Sequence, residues 1–592
     1  MMKYWKTDIG FAGLCAVLLS VFKGGLLYHF EQYSLFPHSV EFFKECMEQP
    51  GGLLQYLGAF LTQFCHFPWI GAILIAALLW LLAVMTRKAL KLENGSWPMA
   101  YIPSLMLLLF ITRMDYSVFL MVTYGLLFSQ TLGLLGAMTM VLAYKKWVEG
   151  TKFAPVAVGV ATLALFPLIG VYSFVAAIIM ALSSMDKKSL GIVLSIIGCA
   201  AVIFVCASIP GLYERLHRRY FYLAGLPYLD FEDNLKALIP LAASIGASFA
   251  LPFATRLKQK YSIAIMIVAL ALTGGLTNWD KNFKAVLEME RACSEQDWET
   301  LLKVAKKSEN PTRAQVVYRN IALYQTGRLT EDMFTYPDGS EKFHTGAQFP
   351  LAYVCAVPLL HYCGMINSSD RQAMEISSTY TKNIFFYKYQ AKNALARGEY
   401  DLARKYINMV SLNWFEKKWT KRHLELANNP EKLATDKEFG LTMPLLDQHF
   451  ENFDYIEPLE KMLYTHFASQ DYINEQLYEW QMATWLTWKD APRAMYGFFN
   501  HAELVPGSHI SNGIAEAAAL FASTSGDVSM MQDLVNIIGG QKTVLKRFTS
   551  FSNAMNTVSD PNSPSVKERF KKQFGKTYWY YSFFTGEGLS SY

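Results

Sequence analysis

No C-x-x-C pair occurs among the eight cysteines, which argues against structural zinc and a thioredoxin-type redox site. The chain also lacks G-x-x-x-x-G-K-[ST], H-E-x-x-H, G-x-S-x-G and G-x-G-x-x-G, a set of absences that argues against nucleotide-driven pumps, zincins and α/β-hydrolases. Charge of one sign is scarce as well. The net charge is +5 over 592 residues, and the dispersed Lys and Arg residues form no basic stripe of the kind nucleic acid requires.

What the chain does have is long apolar runs, and they stop near residue 278. Up to that point stretches 9–28, 69–85, 99–112, 116–144, 154–185, 190–209, 235–254 and 261–277 are separated by short loops. About 18 apolar residues suffice to cross a bilayer as a helix. Run 154–185 carries no charge, but as one helix it would extend about 48 Å, well beyond a hydrocarbon core of about 30 Å. Pro167 and Gly170 sit at its middle, so a hairpin is expected there and nine spans in total. The first run follows Lys3 and Lys6 without an A-x-A-like cleavage site and reads as an uncleaved membrane helix.

The positive-inside rule fixes the expected orientation. With a cytoplasmic start, the inner loops hold Arg87, Lys88 and Lys91; Lys145, Lys146 and Lys152; Lys187 and Lys188; and Arg256, Lys258 and Lys260. The outer loops are acidic or mixed, with Glu31, Glu41, Glu45 and Glu48 in the first and Arg113 and Asp115 in the second. Loop 210–234 departs from the rule, because Arg215, Arg218 and Arg219 fall outside. In the first outer loop (30–67), Leu53, Leu57, Phe60, Leu61 and Phe64 follow Gly51-Gly52 at helical spacing. They suggest a surface helix, and Pro68 then starts the second span.

From 279 to 592 the chain is polar, rich in aromatics and helical in its periodicity. Segments 321–334 and 394–407 read as helix-turn-helix units with Gly327 and Gly398 in their turns. The second carries Gly398, Tyr400 and Ala403 in a tetratricopeptide-type arrangement. The expected fold class is therefore all-α: residues 1–278 as a polytopic transmembrane domain, then residues 279–592 as a soluble, irregular α-solenoid outside the cytoplasm. Cys355 and Cys363 are readable either as a disulfide or as buried thiols. The aromatic run 578–581 is expected to pack back on the body.

Two acidic residues fall at the outer membrane face, Glu31 after the first span and Asp115 before the fourth. Such a pair suits a divalent cation or general-base work, while ordinary interfacial carboxylates remain the plain alternative. Lys23, inside the first span, reads as snorkelling to the interface. Arg215, Arg218 and Arg219 suit the phosphate of a lipid-linked donor, or else anionic headgroups or neighbouring acids. His466 with Asp471 is an H-x-x-x-x-D pattern of the kind that arises by chance.

Glu31 in HFEQYSLF, the stretch PGGLLQYLGAFLTQF and Asp115 in TRMDYS resemble the C-type superfamily of integral-membrane glycosyltransferases. EQYSLF, PGGLLQYLGAFLTQFCHFPWIGA and TYWYYSFF resemble an uncharacterised family of Bacteroides-type membrane proteins along the full chain. The first resemblance implies a bacterial inner-membrane enzyme using a polyprenyl-phosphate-linked sugar. In it Glu31 is base or metal ligand, Asp115 a second acid, and Arg218 and Arg219 contact phosphate. The competing expectation is a non-enzymatic anchor whose solenoid scaffolds envelope protein partners.

Overall fold

The computed structural model describes residues 4–93, 95–119, 124–184, 187–209, 221, 223–227, 235–338, 351–379, 382–448, 463, 466–467, 477–504, 509–525 and 542–585. Among them every regular element is helical, with no strand. The chain divides into two compact units. One comprises Met1–Trp279 together with two later segments, Ser377–Lys388 and Tyr406–Arg422. The other comprises Asp280–Ile376, Tyr389–Lys405 and His423–Tyr592.

The first unit begins with α1 (Trp5–Val17), a π-helical turn at Leu18–Phe22, α2 (Gly24–Gln32), α3 (Val40–Met47) and α4 (Gly52–Thr62). It continues through α5 (Pro68–Ala89), α6 (Ile102–Thr112), α7 (Leu126–Trp147), α8 (Ala154–Ile169), α9 (Tyr172–Ser183), α10 (Lys187–Ala207), α11 (Leu235–Ala254) and α12 (Gln259–Leu276). Among the described residues six helices are long and apolar enough to cross a membrane: Trp5–Phe22, Pro68–Ala89, Leu126–Trp147, Leu190–Ala207, Lys236–Ala254 and Gln259–Leu276. Trp97–Thr112, α8 and α9 are apolar but shorter.

The helix ends sort into two sets. Tyr4 stacks on Trp97 and Asp8 binds Arg87 and Tyr101, which joins the start of α1 to the end of α5 and the start of α6. Gly95 lies against Leu257–Gln259, so the start of α12 belongs with them. At the other ends, Asn278 N–H donates to Thr112 O at 3.1 Å, the Thr112 and Thr277 hydroxyls meet at 2.9 Å, and Gly24 lies against Pro68. Lys23 belongs to this second set and corrects the snorkelling expectation. Its side chain is buried and its Nζ donates to the Asn278 carbonyl. A cation at a helix carboxyl end meets the negative pole of the helix dipole, which holds it in place of headgroup water.

The expected break in 154–185 falls at Gly170, three residues beyond Pro167, which stays inside the last turn of α8. Gly170 adopts φ +58°, and a Cβ there would lie 2.1 Å from the Ala224 carbonyl oxygen. Val171 N–H donates to that same oxygen at 2.8 Å, and Gly51 N–H donates to Pro167 O at 3.0 Å. The hairpin tip, the turn at 224–225 and the start of α4 thus meet backbone to backbone. Helix α4 buries Gly52, Leu54, Gly58, Ala59 and Thr62, with Gly58 against Gly125 at the start of α7. The face read as apolar from the sequence is the other one, where Leu57 is exposed. Small residues win the buried face because they let backbones approach closely.

In the second unit Gly327 and Gly398 adopt φ +66° and +78°. Arg328 N–H reaches Leu323 O and Glu399 N–H reaches Ala394 O, the bond pattern of a glycine-closed helix end. The helix after Gly327 is a single turn, Leu329–Asp332, followed by a 3-10 turn at Met333–Thr335. All eight cysteines are free, Cys355 and Cys363 included, and those two are buried. Tyr578, Trp579, Tyr580 and Tyr581 are buried, with Trp579 Nε1 donating to Glu516 O at 2.6 Å and Tyr581 Oη to Thr487 O at 2.7 Å.

Replacing Gly170 by Ala is expected to destabilise the protein by about 1–3 kcal/mol, because the left-handed backbone and the Ala224 contact both reject a side chain. The measurement is the apparent melting midpoint of the detergent-purified full chain. An unchanged midpoint would show that the tip is free to move away from residue 224.

Candidate functional site

Helix α2 carries the first span past Lys23 and ends in Glu31-Gln32. The residues that follow, Tyr33, Leu35 and Phe36, are buried. Tyr33 stacks on Phe385, and Leu35 packs with Ile384 and Val410. Helix α4 tightens into a 3-10 turn at Gln63–His66, and Pro68 then occupies the first turn of α5, where a missing N–H costs nothing. Packing of α2 on that 3-10 turn brings Glu31 and His66 together.

The remaining members come from the two later segments of the same unit. Asn383 caps the helix Ile384–Ala396 by accepting from Phe386 N–H at 2.9 Å, which sets Lys388 on its second turn. Asn413 turns the chain by accepting from Phe415 N–H at 2.8 Å. Glu416 then opens the helix Lys417–Asn428, its carbonyl accepting from Thr420 N–H at 2.9 Å. Both capping residues are Asn, whose short amide competes well for nearby backbone donors.

The result is a compact centre of buried charge. Glu31 is fully buried; its Oε1 accepts from Asn413 Nδ2 at 2.8 Å and its Oε2 from Gln32 Nε2 at 2.7 Å. Glu416 Oε1 accepts from Lys388 Nζ at 2.7 Å and from Gln32 Nε2 at 2.9 Å. Gln32 Oε1 in turn accepts from Lys388 Nζ at 3.0 Å. His66 Nδ1 stands 3.5 Å from Glu31 Oε2 and 4.0 Å from Glu416 Oε1, with a fifth of its side chain exposed. Its ring stacks on Phe415.

Burial works against a charged His66, but the nearby carboxylates of Glu31 and Glu416 outweigh it and raise its pKa. Burial likewise opposes ionised Glu416, yet the charge and hydrogen bond of Lys388, the Gln32 amide and His66 hold its pKa below the usual carboxylate value. Two carboxylates and an ammonium leave one negative charge, which His66 cancels when it is protonated. The ligand atoms of Glu31, His66 and Glu416 lie within 4.8 Å of one another, a donor set suited to a divalent ion with mixed N and O ligation. Lys388 already supplies the positive charge that such an ion would bring.

Of the residues expected to act, only Glu31 lies in this centre. Asp115 is exposed, and its Oδ1 accepts from Ser117 N–H at 3.0 Å, starting the short turn at Tyr116–Phe119. It is not among the residues that meet Glu31. Arg215, Arg218, Arg219 and Asp471 lie outside the described residues, and His466 is buried beside Phe467. Sequence reasoning missed Gln32, His66, Lys388, Asn413 and Glu416.

A family model described as a family of unknown function, DUF6057, matches residues 3–585. The chain belongs to the DUF6057 family. No curated protein and no solved structure matches it.

Two outcomes are expected. Lys388→Met and Glu416→Gln should each cost about 3–5 kcal/mol, since each leaves a buried charge uncompensated, and the double variant should cost less than their sum. Additive losses in detergent melting curves would show the pair to be uncoupled. The centre's pH window follows from the two shifts. The His66 pKa is raised, so its contribution is complete below about 6.5 and is lost as pH rises through the folded value; the Glu416 pKa is lowered, so its contribution is complete above about 4.5 and is lost as pH falls through the folded value. The melting difference between wild type and His66→Gln should shrink on the alkaline side. A pH-independent difference would exclude an ionised His66.

Proposed function

We propose that this protein is an integral-membrane transferase that moves a sugar from a polyprenyl-phosphate carrier at the non-cytoplasmic face, with His66 as its general base and Glu31 as the residue that positions it. One observation carries the reading: a fully buried carboxylate at the exit of the first span stands 3.5 Å from an imidazole that keeps a fifth of its surface exposed. A carboxylate behind an imidazole fixes the ring and stabilises its protonated form. Glu31 is too buried to meet an acceptor, so it acts as the positioning residue and His66 as the base. Above its raised pKa His66 is a neutral imidazole; the acceptor hydroxyl gives its proton to that ring, and its oxygen bonds to the anomeric carbon. The bond from that carbon to the carrier phosphate breaks, and its electron pair stays on the phosphate oxygen. Arg215, Arg218 and Arg219 would contact that phosphate.

The same proposal takes all nine apolar helices as crossings, the three short ones included. The sorting of helix ends supports it, since Arg87, Lys88 and Lys258 share one set of ends while Glu31 and His66 belong to the other. A bacterial inner membrane with the basic ends in the cytoplasm then leaves residue 280 onward in the periplasm.

The test uses the full chain in liposomes with a polyprenyl-phosphate-linked sugar. His66→Gln should lower turnover at least about a hundredfold. Glu31→Gln should move the pH–rate profile to lower pH, because the imidazole loses the charge that raises its pKa. Full turnover in both variants would remove the pair from the chemistry, and a reporter at the carboxyl end that reads cytosolic would overturn the orientation.

A second reading is a non-enzymatic anchor whose second unit binds envelope proteins as an irregular tetratricopeptide-like solenoid. The glycine-closed helix ends at Gly327 and Gly398 favour it. A stable partner crosslinked through residues 280–592, with no phenotype from Glu31 or His66 variants, would support this reading over the first.

A further inference from the structure

At the end of the first unit where α1 begins and α5 finishes, a cavity of about 600 Å³ is lined by Tyr4, Trp5, Trp80, Arg87, Lys88 and Glu93, among others. Its floor is a buried ion pair. Arg87 Nη2 donates to both Asp8 oxygens, at 3.0 and 2.7 Å, and Tyr101 Oη also donates to Asp8. The guanidinium lies over the Tyr4 ring, 5.1 Å from its centroid.

This arrangement spends one edge of the guanidinium and leaves the other. Arg87 Nη1 is buried and, among the described residues, donates to no hydrogen-bond acceptor. A buried guanidinium N–H without an acceptor is costly, and an anionic oxygen entering the cavity would relieve it. Beside it, Lys88 and Glu93 are exposed, and Asp8 is neutralised by Arg87. The lining therefore offers one uncompensated cation, Lys88, an open N–H on the paired Arg87 guanidinium, and one acid, Glu93. Around the charged end, Trp5, Ile9, Trp80 and Leu81 are exposed on α1 and α5, from 38% to 61%. Tryptophan is the residue that marks the headgroup level of a membrane, and exposed Ile and Leu beyond it suit acyl chains.

We infer that this cavity binds the headgroup of an aminophospholipid, with its phosphate on Arg87 Nη1 and Lys88 and its ammonium on Glu93. The balance of charge selects a zwitterion: a purely anionic headgroup would meet Glu93 unfavourably. A primary ammonium can donate hydrogen bonds to that carboxylate, and a quaternary one cannot. The site is independent of the Glu31 centre, since α5 separates the two by 22 residues, about 33 Å of helix.

The experiment titrates delipidated, detergent-purified full chain with phosphatidylethanolamine, phosphatidylcholine and phosphatidylglycerol, and counts bound lipid by native mass spectrometry. Phosphatidylethanolamine should bind tightest. Lys88→Gln and Glu93→Gln should each weaken it by about fivefold, the scale of a partly exposed charge contact. Lys88→Gln should also weaken phosphatidylglycerol, whereas Glu93→Gln should strengthen it. Both side chains are exposed, so the variants keep the fold, and an unchanged melting midpoint checks this. Equal binding of the three lipids, tighter phosphatidylglycerol, or wild-type affinity in both variants would each overturn the inference.

Discussion

Two carboxylates removed from water at the end of the first span must be matched by positive charge, and the first unit meets this demand with residues far along the chain. Glu31 arrives on α2; Lys388, Asn413 and Glu416 arrive from segments that begin at residues 377 and 406. An isolated buried carboxylate is strongly unfavourable, so α2 can end where it does only if those segments are in place. The pairing is mutual, because Glu416 is tolerated only with Lys388, and Gln32 bridges both acids with one amide. That closed set explains why two short stretches of the later chain belong to the same compact unit as the apolar helices. It also explains the local chemistry that presents them: Asn383 and Asn413 each spend a side-chain oxygen on a backbone N–H, fixing the cation and the acid to within hydrogen-bond reach.

Much of the helical architecture was legible in the sequence, because the signals that set it are local and large. Apolar runs of sufficient length produce spans whatever follows them, and an uncharged run too long for a bilayer must break. Gly170 made the break readable, though its exact position is fixed by the Ala224 carbonyl, which no local pattern announces. Pro68 marked a helix start, and Gly327 and Gly398 marked helix ends, for the same reason: each sits where its special backbone is required. The apolar stripe of α4 read from the sequence as that of a surface helix leaves Leu57 exposed, and the face buried in the protein is the opposite one. In a membrane-facing unit large apolar side chains are content at the surface, and Gly58 and Ala59 take the interior.

The centre around Glu31 was largely illegible, and for a physical reason. Lys388 and Glu416 lie in helical stretches where charged residues are ordinary, and nothing at i±3 or i±4 distinguishes a side chain that will be buried against another segment. Burial and partnership are properties of the tertiary fold. Glu31 alone could be singled out, because its place at the end of an apolar run is itself a sequence feature. Asp115 had the same positional claim, yet its side chain is spent on a turn. Lys23 shows the converse error: a cation near a span's end was assigned to the headgroups, while the carbonyl end of α12 offers it a fixed negative partner.

The α1–α5 pair gives these details a common frame. At one end Asp8 is held by Arg87 and Tyr101; at the other Glu31 is held near His66, two residues before α5 begins. Between them α5 contributes an uninterrupted apolar helix about as long as a hydrocarbon core is thick. A charged side chain at either end is stable there and expensive anywhere between, so each centre fixes the depth of its own helix ends. Sliding the pair by one turn would carry either Arg87 with Asp8 or His66 with Glu31 toward the hydrocarbon. The two buried charge centres therefore sit at opposite ends of the same helix, about 30 Å apart, and each disfavours the sliding of its own end toward the hydrocarbon.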